Sequence, residues 1–366
     1  MLSMAWPTFG FDLSRSGFAA NETQLTPAIA SGLHEVWSVK LGGVLDAQPL
    51  VGDGIVVAAS ENGVVSGIDL ASGAVRWRRS LPSGTTACHD TPGGRYGVSS
   101  TGVIAGNRVY LAANDGKVHA LKLADGTSVK GWPVRALKDT RREHVWGALA
   151  LSRGTLYVPS SSHCDNAYYH GEIVGISTRT RRLVARWSAV PGGHGGGVWA
   201  WGGVAVDPLR KLLFAATANA QGRGGEGRKY GERVVALDTR LRLRAANGPR
   251  VNRYGDADFG GHPVLMDASG CPPLLVVGHK EGALFLYDRR HIARGPLQRV
   301  QTGDRAVTVQ LGTYAWWPAQ RTLYFANAAK GPLSQGLDAL KLGGDCRLHM
   351  RWQLPLVGGV SRATAP

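Results

Sequence analysis

The chain repeats one pattern from end to end, and a repeat of that size leaves few folds open. The pattern is a small residue and Pro, an apolar strand, a turn, a second apolar strand, a tight polar turn, a third apolar strand closing on Asp, then Ser/Thr-Gly and a Trp. Its clearest copy runs Gln48-Pro49-Leu50-Val51-Gly52-Asp53-Gly54-Ile55-Val56-Val57, Glu61-Asn62-Gly63-Val64-Val65, Ile68-Asp69, Ser72-Gly73 and Trp77. Later copies centre on Asn114-Asp115-Gly116 with Trp132, Ile173-Val174-Gly175-Ile176 with Trp187, Val234-Val235-Ala236-Leu237-Asp238, Lys280-Glu281-Gly282, and Leu337-Asp338-Ala339-Leu340 with Trp352. Each copy predicts four short strands over about 50 residues, separated by Asn-Gly, Asp-Gly and Ser-Gly turns of the hairpin kind.

A four-stranded unit of this kind cannot cover both of its faces alone, so successive units must stack around an axis. The reading is therefore all-β, a β-propeller of four-stranded blades with six full repeats. His34-Glu35-Val36-Trp37-Ser38-Val39 reads as the outer strand of a further blade with no inner strands before it, and Gly358 to Pro366 as the opening of a seventh copy. The expectation is a partial seventh blade cut at the C-terminus, with an N-terminal segment over residues 1–33 and the propeller over 34–366.

Composition narrows the function classes. No run of about 18 apolar residues exists, and the first residues carry neither a basic nor an apolar leader region, so neither a membrane span nor a signal peptide is expected in the chain as given. The formal charge of +16 comes from short clusters, Arg76-Trp77-Arg78-Arg79, Arg179 to Arg182, Arg240 to Arg244 and Arg289-Arg290, which recur at similar places in successive units. That distribution reads as a solvated basic rim and not as a nucleic-acid site. Cys88, Cys164, Cys271 and Cys346 form no C-x-x-C or C-x-x-C-H, which excludes a zinc ribbon, a thioredoxin motif and a covalent c-type haem, and leaves two long-range disulfides or four buried thiols. No H-E-x-x-H or G-x-S-x-G supports a zinc peptidase or a hydrolase, and Gly192-Gly193-His194-Gly195-Gly196-Gly197 precedes a strand, unlike a phosphate loop.

Strand parity sorts the loops. With the first strand of each blade innermost, second-to-third-strand loops open on the same face as the connections between blades. Most second turns are short, whereas Ser160 to Gly171 and Asn219 to Gly231 are long, so this is the expected site-bearing face. Parity also permits Cys88 with Cys164 on that face and Cys271 with Cys346 on the other, and forbids crossed pairs.

The repeat resembles the pyrroloquinoline quinone (PQQ) propeller, whose hallmark is the docked Trp after Asp-x-x-Ser/Thr-Gly. Trp6-Pro7-Thr8-Phe9-Gly10-Phe11-Asp12-Leu13-Ser14-Arg15-Ser16-Gly17 is similar to the way exported quinoprotein dehydrogenases begin. The resemblance implies quinoprotein alcohol or polyvinyl alcohol dehydrogenases, with PQQ and calcium as cofactors. It also implies a small or polymeric alcohol as substrate, a separate electron acceptor such as a cytochrome, and an exported, periplasmic or extracellular protein. Repeats of this type also build non-catalytic scaffolds that bind protein or glycan, including the outer-membrane assembly propeller, so the fold alone does not establish catalysis.

Residue by residue, the resemblance places Trp201 under the quinone and Asn219, eighteen positions later with Asp207-Pro208 between, on calcium. Asp258, in Asp256-Ala257-Asp258-Phe259-Gly260-Gly261, takes the place of the general base and a calcium ligand; Ala257 stands where the family has Trp. Gly260 stands where lanthanide enzymes have a second Asp, which favours calcium. Lys280 takes the place of the cation on the quinone oxygens. Asp165 falls near the family's calcium-binding Glu but is shorter. Cys88-His89-Asp90 represents an adjacent-cysteine disulfide with one cysteine replaced by His89, and Arg95, offset by one position, resembles the Arg that binds a quinone carboxylate.

Overall fold

The computed structural model describes residues 5–86, 88, 91–165, 168–222, 229–250, 258–303, 314–327 and 332–355. Among them lie six four-stranded antiparallel sheets, each ordered as an up-and-down meander. Blade one is Leu50–Gly52, Ile55–Ala59, Val64–Asp69 and Val75–Ser80; blade two is Val103–Ala105, Arg108–Ala112, Lys117–Lys122 and Val134–Arg135. Blade three is Ala150–Ser152, Thr155–Pro159, Glu172–Ser177 and Arg182–Ser188; blade four is Ala205–Asp207, Leu212–Ala216, Val234–Asp238 and Leu243–Asn247. Blade five is Val264–Met266, Leu274–His279, Ala283–Asp288 and Gln298–Gln301; blade six is Tyr314–Trp317, Thr322–Asn327, Gly336–Leu342 and Leu348–Pro355.

The repeated Asp has a local task. In blade one, Asp69 Oδ1 accepts from the Ser72 backbone and hydroxyl and from Ala71 N–H, closing the third turn, and Arg76 pairs with the same carboxylate. These donors hold Asp69 at about 2, the Ser72 hydroxyl first among them. Asp238 and Asp288 accept backbone N–H groups in the same turn of their blades.

Burial lies between blades, as a stack of two-faced sheets requires. Five apolar clusters join blades one to two, two to three, three to four, four to five and five to six. A sixth packs Trp37, Val39 and Leu41 on the outward side of blade one, against Val56, Ala58 and Ile68. His34 to Val39 joins no sheet among the described residues, a departure from the expected outer strand. Its Trp nevertheless docks: Trp37 Nε1 donates to the Leu70 carbonyl at 3.0 Å, as Trp77 Nε1 donates to Leu123 at 2.9 Å one blade later. Gly358 to Pro366, the expected seventh opening, lies outside the described residues.

Two expected docking tryptophans differ. The third and fourth strands carry a bulge after Gly67 in blade one, Gly175 in blade three and Ala339 in blade six, and the residues opposite are Trp77, Ala185 and Trp352. The docking position of blade three is thus Ala185. Trp187, two residues on, packs instead toward Tyr230, with ring centroids 6.0 Å apart. Trp132 precedes its strand and meets Tyr110 edge-on.

The N-terminal segment binds the innermost strands. Trp6 bridges Val51, Pro7 accepts from Ile104 N–H, Leu13 from Val206, Ser14 from Leu265 and Ser16 from Trp316, which reach blades one, two, four, five and six. Arg15, fully buried, donates to Thr8 Oγ1, the Phe9 carbonyl, and the Leu149 and Val204 carbonyls that precede blades three and four. A planar guanidinium suits four acceptors in several directions. The disulfides are Cys88–Cys164 and Cys271–Cys346, the two that strand parity permits. No helix among the described residues is long and apolar enough to cross a membrane.

Candidate functional site

The connections between blades and the second-to-third-strand loops meet on one face. Lys280, in the short second turn of blade five, places Nζ 2.9 Å from Asp258 Oδ1, and its own N–H donates to the Asp258 carbonyl. Both side chains are buried, 9% and 3% exposed. The turn glycine behind them, Gly282, has φ +73°, and a Cβ there meets the Gly303 backbone, so only Gly admits this close approach.

The ammonium also lies 4.9 Å from the centroid of Trp199, in the connection into blade four. From Trp199 a row of rings runs across the face: Trp146 at 5.8 Å, His163 at 4.7 Å from Trp146, His144 at 4.8 Å from His163, and Tyr96 at 4.6 Å from His144. Burial, with His163 as a second cause, lowers His144 to about 3, so this imidazole is neutral and packs as an aromatic surface. The Cys88–Cys164 bond ties the middle of this row to the connection leaving blade one, since Cys164 follows His163.

Trp201 lies two residues beyond Trp199, half-buried, and its carbonyl accepts from Ala148 N–H. Its Nε1 and that of Trp146 are buried with no hydrogen-bond acceptor among the described residues. The Asn219 carbonyl accepts from Gly196 N–H, while its Oδ1 is buried and has no donor among the described residues. A buried amide oxygen without a donor is a group that a hard cation can satisfy. Gln221, two residues on, donates to the Asp165 carbonyl and accepts from Tyr168 N–H, so the two long loops are joined.

Asp258 and Lys280 thus meet each other beside Trp199; Trp201 follows two residues later, and the Asn219 carbonyl meets Gly196 of the same connection. Two further expected residues lie on the surface. Asp165 is exposed, with φ 45°, and Arg95 is exposed on a short hairpin, its guanidinium on the Ser83 hydroxyl at 3.2 Å. Cys88 is buried and bonded to Cys164. His89, Asp256 and Ala257 lie outside the described residues.

Sequence reasoning missed Trp199, Trp146, His144 and His163, which sit in connections without repeat periodicity. It also missed Glu61, whose Oε2 accepts from Gly97 N–H and the Ser99 hydroxyl. Burial first, and a hydrogen bond with Asp46 second, push Glu61 up to about 8, so Glu61 keeps its proton at neutral pH. Glu143, also buried, meets His170 Nδ1 at 2.9 Å.

A family profile described as outer membrane protein assembly factor BamB matches residues 18–216. Quinohemoprotein alcohol dehydrogenase ADH IIB of Pseudomonas putida is 24% identical over 286 residues, 67% of this chain and 40% of its own length. Quinohemoprotein alcohol dehydrogenase of Comamonas testosteroni is 27% identical over 197 residues, 51% of this chain and 26% of its own length. The chain therefore spans less than half the length of these curated relatives. Among solved structures, the Comamonas testosteroni enzyme superposes with a TM-score of 0.72 at 18% identity, covering 92% of this chain and 58% of its own. A europium-containing methanol dehydrogenase gives 0.72 at 16% identity, covering 92% and 73%. BamB from Moraxella catarrhalis gives 0.51 at 16%, covering 79% and 71%. These superpositions establish the propeller fold.

Proposed function

More than half of this chain falls within the family described as outer membrane protein assembly factor BamB, so it belongs to that family of PQQ-type propeller repeats, and on that premise we propose a PQQ- and calcium-dependent, dehydrogenase-like protein that oxidises an alcohol. The observation that carries the reading is the buried Asp258–Lys280 pair set against Trp199 on the loop-bearing face. A carboxylate and an ammonium held together out of water are a costly arrangement, which a purely structural turn does not require.

PQQ bound there supplies the two-electron acceptor for the alcohol's hydride. Trp201, with Trp199 and Trp146, offers flat apolar surfaces for a planar ring system. Lys280 offers positive charge to ring oxygens that gain electrons, an interaction strongest when that charge has developed. Asp258 accepts the hydroxyl proton on a carboxylate oxygen. Asn219 Oδ1 and the Asp258 carboxylate would hold the calcium ion. Exposed Asp165 and Arg95 do not fit their expected partners as they stand, so the fit rests on Asn219, Asp258, Lys280 and the tryptophans. The substrate is a small or polymeric alcohol, and electrons leave to a separate acceptor such as a cytochrome. Two disulfides suit an exported, periplasmic or extracellular protein.

Reconstitution with PQQ and calcium, followed by dye reduction with alcohols, tests this reading. Asp258→Asn is expected to abolish dye reduction, Trp201→Ala to weaken quinone affinity above all, and Lys280→Ala to lower turnover more than affinity. The exposed positions of Asp165 and Arg95 favour the second reading, a non-catalytic propeller that binds protein or glycan on the same face. Wild-type protein that takes up PQQ yet reduces no dye with any alcohol supports that second reading.

A further inference from the structure

Two slots beside blade one are closed by one device, and blade three lacks it. Trp37 packs on Gly73 and bonds the Leu70 carbonyl; Trp77 packs on Gly126 and bonds the Leu123 carbonyl. In blade three the residue at that register is Ala185, although Gly175, the counterpart of the Gly67 that makes room for the Trp77 ring, is kept. The hydrogen bond is taken over by Tyr157, whose hydroxyl donates to the Thr239 carbonyl at 3.0 Å. Tyr157, which stands where blade one has Val57, and buried Leu241, in the positive-φ turn where Gly73 and Gly126 receive their Trp, fill part of the ring's place, and a cavity of about 450 Å³ remains over Tyr157, Val184 and Ala185. Blade four also carries Ala at this register, Ala245 opposite Ala236, but buried Ile292 of the 3-10 turn Ile292–Arg294 packs into the same cluster.

The mouth of the cavity is cationic. Arg153, Lys211, Arg240 and Arg242 line it, and no Asp or Glu does. The nearby carboxylate of that turn, Asp238, is engaged by the Arg240 and Arg242 N–H groups and by the Arg244 guanidinium. Among the described residues none of the four cations has an ion-pair partner, and Arg153 is steadied by a bond from Nη2 to the Pro208 carbonyl. In blade one the counterpart of Arg153 is Asp53, in the same positive-φ turn, so the cation at this turn is not fixed by the repeat. These turns join first to second and third to fourth strands, so the cavity opens on the face opposite Asp258 and Lys280.

We infer that the slot between blades three and four is a binding site for a small aromatic carboxylate, whose ring occupies the place of the missing docking Trp and whose carboxylates meet Arg153, Lys211, Arg240 and Arg242. The volume suits a small ligand, guanidinium groups pair carboxylates bidentately, and Tyr157 offers the ring an aromatic neighbour. The inference is independent of the proposed redox function.

Calorimetric titration of the full chain in EDTA with 1,3,5-benzenetricarboxylate tests it, with citrate as a tricarboxylate without a ring and benzamide as a ring without charge. The expected result is one benzenetricarboxylate per chain, bound at least tenfold more tightly than citrate, and no binding of benzamide. Arg240→Gln/Arg242→Gln weakens it at least tenfold, Ala185→Trp abolishes it by restoring the repeat's own residue, and Lys280→Ala leaves it unchanged. Citrate binding as tightly as the aromatic acid overturns the inference and leaves only a basic rim. Binding that survives Ala185→Trp in a folded variant, binding lost in a folded Lys280→Ala variant, or no heat at millimolar ligand also overturns it. Should Ala185→Trp not fold, judged by far-UV circular dichroism, the double Gln variant and the citrate ratio decide.

Discussion

Removing either partner of the Asp258–Lys280 pair should cost far more than removing both. At 2.9 Å the Coulomb attraction in an effective dielectric of about 20 is roughly 6 kcal/mol, most of it offset by the desolvation of two charges that are 3% and 9% exposed. Asp258→Ala leaves a buried ammonium beside Trp199, a contact worth about 1–2 kcal/mol, and Lys280→Met leaves a buried carboxylate. Each single change is expected to lower stability by about 3–5 kcal/mol. Asp258→Ala/Lys280→Met removes both charges and fills the space with an apolar chain, so it should lie within about 1–2 kcal/mol of wild type. The backbone bond from Lys280 N–H to the Asp258 carbonyl persists in all four proteins, so the cycle isolates the side chains. Urea unfolding followed by Trp fluorescence under oxidising conditions reads the four stabilities. Single variants within about 1 kcal/mol of wild type, or a double variant equal to the sum of the singles, would refute the buried-pair reasoning.

Glu61 sits at about 8, above its ordinary 4.5, so the folded state holds an extra proton between those values and stability declines as pH rises through that window. Glu61→Gln should therefore gain on wild type in melting temperature between pH 5 and pH 9; parallel curves contradict the raised Glu61 value. Arg15→Met strips donors from the Leu149 and Val204 carbonyls at the axis and should cost about 3 kcal/mol or more by calorimetry, with Arg15→Lys a poor rescue because one ammonium cannot reach four acceptors. Replacing Cys271 and Cys346 together by Ser opens a crosslink spanning 75 residues and should lower stability by roughly 2–4 kcal/mol, measured against the wild type in the same denaturant series.

Much of the fold was legible because the repeat is local. Turn glycines and the alternation of strands recur from copy to copy, so the six four-stranded units and the loop parity follow, and Cys88–Cys164 and Cys271–Cys346 are the pairs that parity permits. Asp258 and Lys280 were legible as residues of the same face, and the structure brings them into contact. Trp187 misled because the third copy ends in Ser177 where the first, fourth and fifth have Asp, and the bulge after Gly175 shifts the docking register to Ala185. The ring row from Tyr96 to Trp199 was invisible because its members come from three connections between blades and one loop of blade three, none of which carries the repeat. Arg15 likewise has no periodic signal; its partners lie 134 and 189 residues away.

The central claim is that the face holding Asp258, Lys280, Trp201 and Asn219 binds PQQ with calcium. Calorimetric titration of the chain with PQQ, in calcium and in EDTA, with Trp fluorescence followed in parallel, tests it most directly. The account predicts calcium-dependent binding at micromolar quinone with quenching of Trp fluorescence, lost in Asn219→Ala and weakened in Trp201→Ala. No heat and no quenching at micromolar quinone in calcium contradicts it.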